Sequence, residues 1–585
     1  MSSLIKDFIS GTEINGTPEE LDAVQPFSIQ LVEDYGYPKE NISTHPQHRV
    51  MARPSDSKKS YPVDIAVFKD ETKKDDECLI IVECKKKNEA DGVKQLQQYL
   101  KFSEANLGVW FNGDERKFYR KIEKDGKVYF DEIPNIPKYG QRIEDVGLYK
   151  RKDLKPTKNL RLTFKSIRNF LAGNAVGATR DEVFAQQLIN LIFCKLYDEK
   201  FTSPDEMVRF RAGIDEDEKI VADRIKNLFE EVKRKYKEVI DISDSIELDS
   251  KSIVYTVGEL QSYCLTDAER DVIADAFETF IGPALKGAQG QFFTPRNVVK
   301  MMVELLDPSM DDMVIDPACG SGGFLVESLK YIWSQLDEDS KKFNWADSNL
   351  KEEKMEVALT RINGIDKDYF LTKVAKAYMA ILGDGRGGIF TEDSLESTDK
   401  WKTETQSKIN SGKYSIVLTN PPFGKDIKVT GEDKLRQYDL GHKWKYDKSE
   451  KNWIKGKVNT SQTPQILFLE RCLELLRDGG KMAVVLPDGI LGNDNLGYVR
   501  QYLIKKAQLI AVIDIPMETF QPNTQTKTSV MVLKKTKDIK NDYPVFMCIA
   551  ETCGHDRTGK LIEDDDIQLV VPEFRKWLKD NKVNF

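Results

Sequence analysis

A chain of 585 residues is longer than one hydrophobic core usually organises, so several domains of ordinary size are expected. With 40% hydrophobic and 31% charged residues, wholesale disorder is excluded; no apolar run reaches membrane-spanning length and MSSLIKDFIS lacks a secretory pattern, so a cytoplasmic protein with no membrane partner is expected. The formal charge of −8 gives no overall basic footprint, and eight cysteines without a C-x-x-C pair beside four histidines argue against disulfides and structural zinc.

Residues 1 to about 155 begin helix-like and continue in apolar, β-rich runs, PVDIAVF at 62–68, CLIIVECK at 78–85 and LGVWF at 107–111, which predicts a compact α/β domain. Asp64 lies in the first run. Glu83 and Lys85 end the second on one side of the strand, so all three can face one site. Two carboxylates can hold Mg²⁺ through hard oxygen ligands, and an ammonium can orient or help activate a water, which is the chemistry of phosphodiester hydrolysis. A solvated strand end explains the same short pattern equally well. Gln95 and Tyr99 follow four apart on a predicted helix, hence on one face. Glu33, on the helix-like FSIQLVEDYGY, is a candidate additional acid, in competition with Asp34 and Glu40.

The charged, proline-containing stretch YKRKDLKPTKN at 149–159 predicts a linker. From there to about 285 a helical domain is expected, with Thr179 and Glu182 in capping-box spacing ahead of Phe184, Leu188 and Leu191.

After 286, the short apolar runs MVIDPA, INGID, YSIVLTN, KMAVVLP and LIAVIDI alternate with amphipathic segments, the pattern of a largely parallel sheet flanked by helices. MVID at 313–316 runs into Pro317, Ala318, Cys319, Gly320, Ser321, Gly322 and Gly323, and glycines at such a strand-to-helix turn let a ligand approach the backbone. Asp366 ends INGID, where a carboxylate can accept from ribose hydroxyls; a solvated acid is the alternative. Asn420, Pro421, Pro422 and Phe423 directly follow YSIVLT. An adenine amine is a poor nucleophile because its lone pair is delocalised into the ring. The Asn420 side-chain oxygen and the Pro421 carbonyl can accept its two N–H groups and favour a pyramidal nitrogen, while Pro422 stiffens the turn and Phe423 can stack on a flipped-out base.

On these motifs, residues 160 to about 540 resemble the N6-adenine DNA methyltransferases, and especially the modification subunits of Type I restriction-modification systems. DPACGSGGF, NPPF and GQFFTP at 290–295 carry the resemblance, in the order of the gamma arrangement. It implies a Rossmann-like, S-adenosyl-L-methionine-dependent methyltransferase domain over 286–540, with Asn420 to Phe423 as its catalytic tetrapeptide. Phe293 and Thr294 match the segment that contacts the cofactor's methionine moiety. Asp316 and Gly320 match the glycine-turn motif that also contains Gly322, and Asp393 of EDSL matches the acid placed near the cofactor's adenine.

The N-terminal runs VDIAVF, IIVECKKKN and QLQQY resemble the PD-(D/E)xK nuclease domain of Type I restriction subunits, which implies Asp64 and Glu83 as Mg²⁺ ligands and Lys85 as a catalytic residue. No G-x-x-x-x-G-K-[ST] sequence occurs, so no ATP-driven motor is expected. About fifty residues follow the last predicted core strand, which leaves 541–585 as a tail for partner contact. Recognition of double-stranded DNA is therefore expected of a separate DNA specificity subunit in a hetero-oligomer, the arrangement that Type IIB restriction-modification catalytic subunits use. Residues 425–460 combine ten Lys/Arg and six acids with Trp444, Tyr446 and Trp453, and read either as a mobile loop that meets phosphates and bases or as a solvated loop. Two expectations stand side by side: a methylase with an active endonuclease, and a methylase whose degenerate N-terminal domain only binds DNA or partners. The full set of methylase motifs disfavours a purely DNA-binding scaffold.

Overall fold

The chain folds around two main sheets, one in each of two units, Met1–Ala284 and Leu285–Phe585. The computed structural model describes residues 4–51, 60–87, 89, 92–174, 181–237, 239–268, 294–383, 388–424, 427–521, 524–539, 542–557, 560 and 562–585.

In the first unit the strands β1 (Ile42–Ser43), β2 (Ile65–Phe68), β3 (Cys78–Cys84), β4 (Leu107–Phe111), β5 (Arg116–Lys124) and β6 (Lys127–Ile133) lie side by side in chain order. Only β3 and β4 pair in parallel, because the connection between them crosses over through α2 (Val93–Lys101). The central runs are apolar apart from Glu83, because both faces are covered. Ile65, Val67, Ile80 and Val82 pack with Phe27 and Leu31 of α1 (Gln25–Glu33), whereas Ala66, Phe68, Ile81 and Trp110 pack with Leu96 and Leu100 of α2.

The helices α3 (Leu160–Asn174), α4 (Asp181–Phe201), α5 (Glu218–Lys235) and α6 (Ser250–Leu260) belong to the same unit, so the boundary expected near 155 falls inside it. Arg116 on β5 and Glu259 on α6 form an ion pair with both side chains at 0% exposure, and the Arg116 guanidinium also donates to Gln30 Oε1 at 2.8 Å. The stretch 149–159 is not a free linker. Tyr149 and Leu154 are buried with Val208 and Cys264, which anchors the segment while most of its charged heads reach water. Thr179 lies outside the described residues; Phe184, Leu188 and Leu191 on α4 are buried, as their spacing predicts.

The second unit holds β7 (Val314–Asp316), β8 (Ile362–Asp366), β9 (Ile389–Thr391), β10 (Tyr414–Thr419), β13 (Leu476–Pro487), β14 (Ala507–Asp514), β15 (Thr528–Lys535) and β16 (Phe546–Ile549) in the order β9-β8-β7-β10-β13-β15-β14-β16. The first five are parallel to one another, and β15 runs antiparallel to both β13 and β14. Helices α7 (Arg296–Leu306), α8 (Gly323–Phe343), α9 (Tyr369–Gly383), α10 (Glu432–Arg436), α11 (Pro464–Leu475), α12 (Gly497–Ile504) and α13 (Ile567–Asp580) are among those of the unit. The expected α/β, Rossmann-like methyltransferase fold is what forms here. The strand order reverses at β7, which opens a crevice at the carboxyl ends of β7 and β10.

Two segments differ from expectation. Residues 541–585 are built into this unit: β16 joins the sheet beside β14, and Phe574 of α13 packs on Phe546 with centroids 5.4 Å apart. The segment read as a loop instead contains α10 and a hairpin of β11 (His442–Asp447) and β12 (Asn452–Val458). Its tryptophans find apolar partners within the chain, and that burial orders it. Among the described residues no helix is long and apolar enough to cross a membrane.

Candidate active site

The carboxyl ends of β7, β8 and β10 surround a cavity of about 470 Å³. Thr294, Asp316, Gly320, Asp366, Asp393 and Asn420 to Phe423, far apart in sequence, all line it. Phe293 lies outside the described residues. Gly322 is not in the lining. With φ at +89° and a Cβ there placed 3.1 Å from the Cβ of Ala375, it serves the turn and the packing of α8 against α9.

Three acids sit at the strand ends, each held by backbone N–H groups. Asp316, 1% exposed, accepts from the Ala318 N–H at 2.9 Å; burial pushes its carboxyl up to about 7, and the nearby Asp366 charge adds to the rise. Asp366 accepts from the N–H of Gly320 at 2.9 Å and of Asp368 at 3.0 Å, and burial raises its pKa as well. Gly320 takes a left-handed φ of +52° to present that N–H. Asp393 accepts from the Leu395 N–H at 2.9 Å, and its other oxygen is held by the ammonium of Lys434 on α10. No motif marked Lys434, which closes one wall of the cavity from the segment after the tetrapeptide.

Asn420 follows β10, and its Nδ2 donates to the Thr294 hydroxyl at 3.0 Å. That bond fixes the amide and leaves Oδ1 buried with no hydrogen-bond partner among the described residues. A buried acceptor in this state costs about 1–3 kcal/mol, which a donor entering the cavity would recover. Phe423 is 3% exposed and meets Phe520 edge to face, with centroids 6.1 Å apart. Its ring is a packed part of the cavity wall. Phe520 could not be singled out beforehand because no local pattern ties it to Phe423.

The first unit gathers the second set of candidates. Asp64 accepts from the Cys84 N–H at 2.7 Å, and Lys85 Nζ lies 2.5 Å from Glu83 Oε1, so Glu83 and Lys85 do share one side of β3. Burial first, and then the Asp64 charge, push Glu83 up to about 7; burial also lifts Asp64 to about 6. Gln95 Nε2 donates to the Tyr99 hydroxyl at 2.8 Å on α2, as their spacing predicts.

The upstream acid that reaches this field is Glu19, not Glu33. Glu19 is itself raised by burial, interacts with Lys85, and contributes to the rise of both Asp64 and Glu83. Glu33 instead faces Asn159 at 3.5 Å, and Asp34 is bound by Thr157 and Asn159. Helical periodicity places Glu33 on a helix but cannot say that the chain before α1 folds back over β3. Among the described residues no group of three or more His, Cys, Asp or Glu side chains is arranged to hold a metal ion.

Residues 268–585, more than half of the chain, match the N-6 DNA Methylase family, and residues 19–137 match the Type I restriction enzyme R protein N terminus. The Type I restriction enzyme EcoEI methylase subunit of Escherichia coli is 26% identical over 279 residues, which cover 46% of this chain and 48% of that protein. The Type II restriction enzyme and methyltransferase RM.BcgI of Heyndrickxia coagulans is 22% identical over 267 residues, 45% of this chain and 34% of that protein. The chain thus spans about half the length, or less, of these curated relatives. A solved structure, the methyltransferase subunit of a type I restriction-modification system from Streptococcus thermophilus, aligns at 17% identity with a TM-score of 0.47, covering 72% of this chain and 94% of that one.

Proposed function

The chain belongs to the N-6 DNA Methylase family, and from that premise we propose that it methylates N6 of adenine in double-stranded DNA, with S-adenosylmethionine as donor. The observation that carries this reading is the Oδ1 of Asn420 at the cavity, buried and without a partner among the described residues. An exocyclic amine with two N–H groups suits it. One N–H would donate to Asn420 Oδ1 and the other to the Pro421 carbonyl, so the nitrogen lone pair localises and points away from the ring plane. Thr294 keeps the Asn420 amide in the orientation this requires. When bound, S-adenosylmethionine supplies an electrophilic methyl carbon.

The cavity residues fit that cofactor. Its volume lies in the range of small-ligand sites. Asp366 keeps acceptor capacity beyond the two N–H groups it already holds, which suits ribose hydroxyls, and the buried Asp316 suits a cationic amine. Asp393 is the acid for the adenine end, with Lys434 beside it.

Relatives described as methylase subunits favour an assembly in which a separate specificity subunit selects the site, in the cytoplasm of the host cell. The test is nucleoside mass spectrometry of DNA incubated with the chain, that subunit and S-adenosylmethionine. N6-methyladenine is the expected product; methylcytosine, or no methylated base, contradicts the reading.

A second activity is proposed for the first unit: Mg²⁺-dependent cleavage of DNA. It is favoured by the buried Glu83, raised first by burial and then by the charge of the half-buried Asp64, a repulsion that a divalent cation would relieve, and by the match of residues 19–137. Mg²⁺ held there would stabilise charge on the scissile phosphate. Lys85 would neutralise phosphate charge and orient the attacking water, and Glu19 is a further acid whose charge reaches both carboxylates. The competing reading, a domain that only binds DNA or partners, is favoured by the absence of a third side-chain ligand in place among the described residues. Unmethylated plasmid carrying the mapped site distinguishes them: cutting with Mg²⁺ that Asp64→Ala abolishes supports the nuclease, and methylation without cutting supports the binding domain.

A further inference from the structure

The segment between Phe423 and Pro464 starts and ends in the cavity wall, yet most of its charge has no part in methyl transfer. Its hairpin pairs Trp444 with Lys455, Lys445 with Ile454 and Tyr446 with Trp453. One side is fixed to α12. Trp444 stacks on Tyr498 with centroids 5.8 Å apart and 16° between planes, and Trp453 meets the same ring at 5.8 Å. The Trp453 N–H donates to Gln501 Oε1 at 2.7 Å, and Gln501 Nε2 donates back to the Trp453 carbonyl at 2.9 Å. A Cβ at Gly497 would sit 2.6 Å from Trp453 Nε1, so α12 begins with the one residue that permits this approach.

The opposite side faces water and is cationic. Residues 442–458 hold six lysines against two acids, in a chain whose net charge is −8. Lys455 is tied to Asp439 at 2.6 Å. Among the described residues Lys443, Lys448, Lys451 and Lys457 have no ion-pair partner, and all four are exposed, as is Ile454. The pinned strand pair keeps these exposed lysines close together as a local positive patch that attracts an anionic surface.

We propose that the hairpin His442–Val458 grips the phosphate backbone of duplex DNA beside the base that enters the cavity. The inference rests on the methylase reading above. A two-stranded ribbon has the width to follow a groove of duplex DNA, and a row of lysines along it meets phosphates whatever the sequence. Its root is the cavity wall itself, through Lys434 on one side and Pro464 on the other, so DNA held by the hairpin is held next to Asn420.

The test compares the full chain with a Lys443→Gln, Lys445→Gln, Lys451→Gln triple variant in binding a short labelled duplex of random sequence over a range of salt. Each lost phosphate contact removes about 0.9 from the slope of log affinity against log salt, so the slope should flatten by about 2 to 3. The corresponding Lys→Arg triple variant keeps the charge and should keep the slope, which separates loss of contact from loss of fold. An unchanged slope in the Gln variant overturns the inference, as does a variant that keeps its DNA slope and loses only assembly with the specificity subunit. If the unmodified chain methylates DNA and the slopes agree, only the hairpin assignment falls. If it neither binds nor methylates DNA, the methylase reading falls and the hairpin assignment with it.

Discussion

The side-chain amide of Asn420 donates to the Thr294 hydroxyl at 3.0 Å, while the oxygen of the same amide lies buried without a partner among the described residues. On the proposed reading Thr294 is a positioning residue: it holds the acceptor toward the incoming amine. Removing it should let the amide turn. Thr294→Val is expected to slow single-turnover methyl transfer about tenfold, the equivalent of one hydrogen bond, and Thr294→Ser should restore the rate. Equal rates in the Val and Ser variants would remove Thr294 from that role.

Asp316 gives the cofactor pocket a pH dependence. Burial lifts its carboxyl to about 7, so the ionised form that would hold a cationic amine is gained as pH rises through that value. Cofactor affinity measured by calorimetry should increase between about pH 6 and about pH 8 by up to tenfold. In Asp316→Asn the affinity should be weak and flat over the same range.

Glu83 makes an opposite statement about stability. Its folded pKa of about 7 lies above the ordinary value of 4.5, so it adds nothing unfavourable below the ordinary value, and stability is lost as pH rises through the folded one. Glu83→Gln should therefore stabilise the first unit near pH 8 by on the order of 2 kcal/mol and be close to neutral near pH 4.5. Urea midpoints at the two pH values check this; a gain at the lower pH alone would contradict the sign.

The ion pair of Arg116 and Glu259 joins the sheet of the first unit to α6 with both side chains out of water. Glu259→Ala leaves an unpaired buried guanidinium and should destabilise that unit by about 3–5 kcal/mol. Hydrogen exchange should show the loss in β5 and α6 and leave β7 to β10 of the second unit protected. Uniform loss in both units would refute the localisation.

Much of the site was legible in the sequence because its chemistry sits at strand ends. Asp316, Asp366 and Asn420 each end or follow a short apolar run and Gly320 lies in the turn after one, so period and turn chemistry locate them without knowledge of the fold. What stayed hidden depends on which strand ends become neighbours. Lys434 reaches Asp393 across 41 residues and Glu259 reaches Arg116 across 143, and neither distance leaves a local pattern. Glu19 lies outside the helix-like stretch that offers Glu33 and Asp34, and only the fold brings its charge to Asp64 and Glu83. The segment after Phe423 read as a loop because its tryptophans are spaced by charges; their partner Tyr498 lies well downstream.

The most direct measurement is on Asn420→Ala, assembled with the specificity subunit. S-adenosylmethionine affinity by calorimetry should stay within a few-fold of the unmodified chain, since Asp316, Gly320 and Asp366 are untouched, while N6-methyladenine formation should fall by a factor on the order of a thousand, comparable to losing an acceptor at a developing charge. Methylation at the unmodified rate in that variant would contradict the assignment of Asn420 as the acceptor that activates the amine.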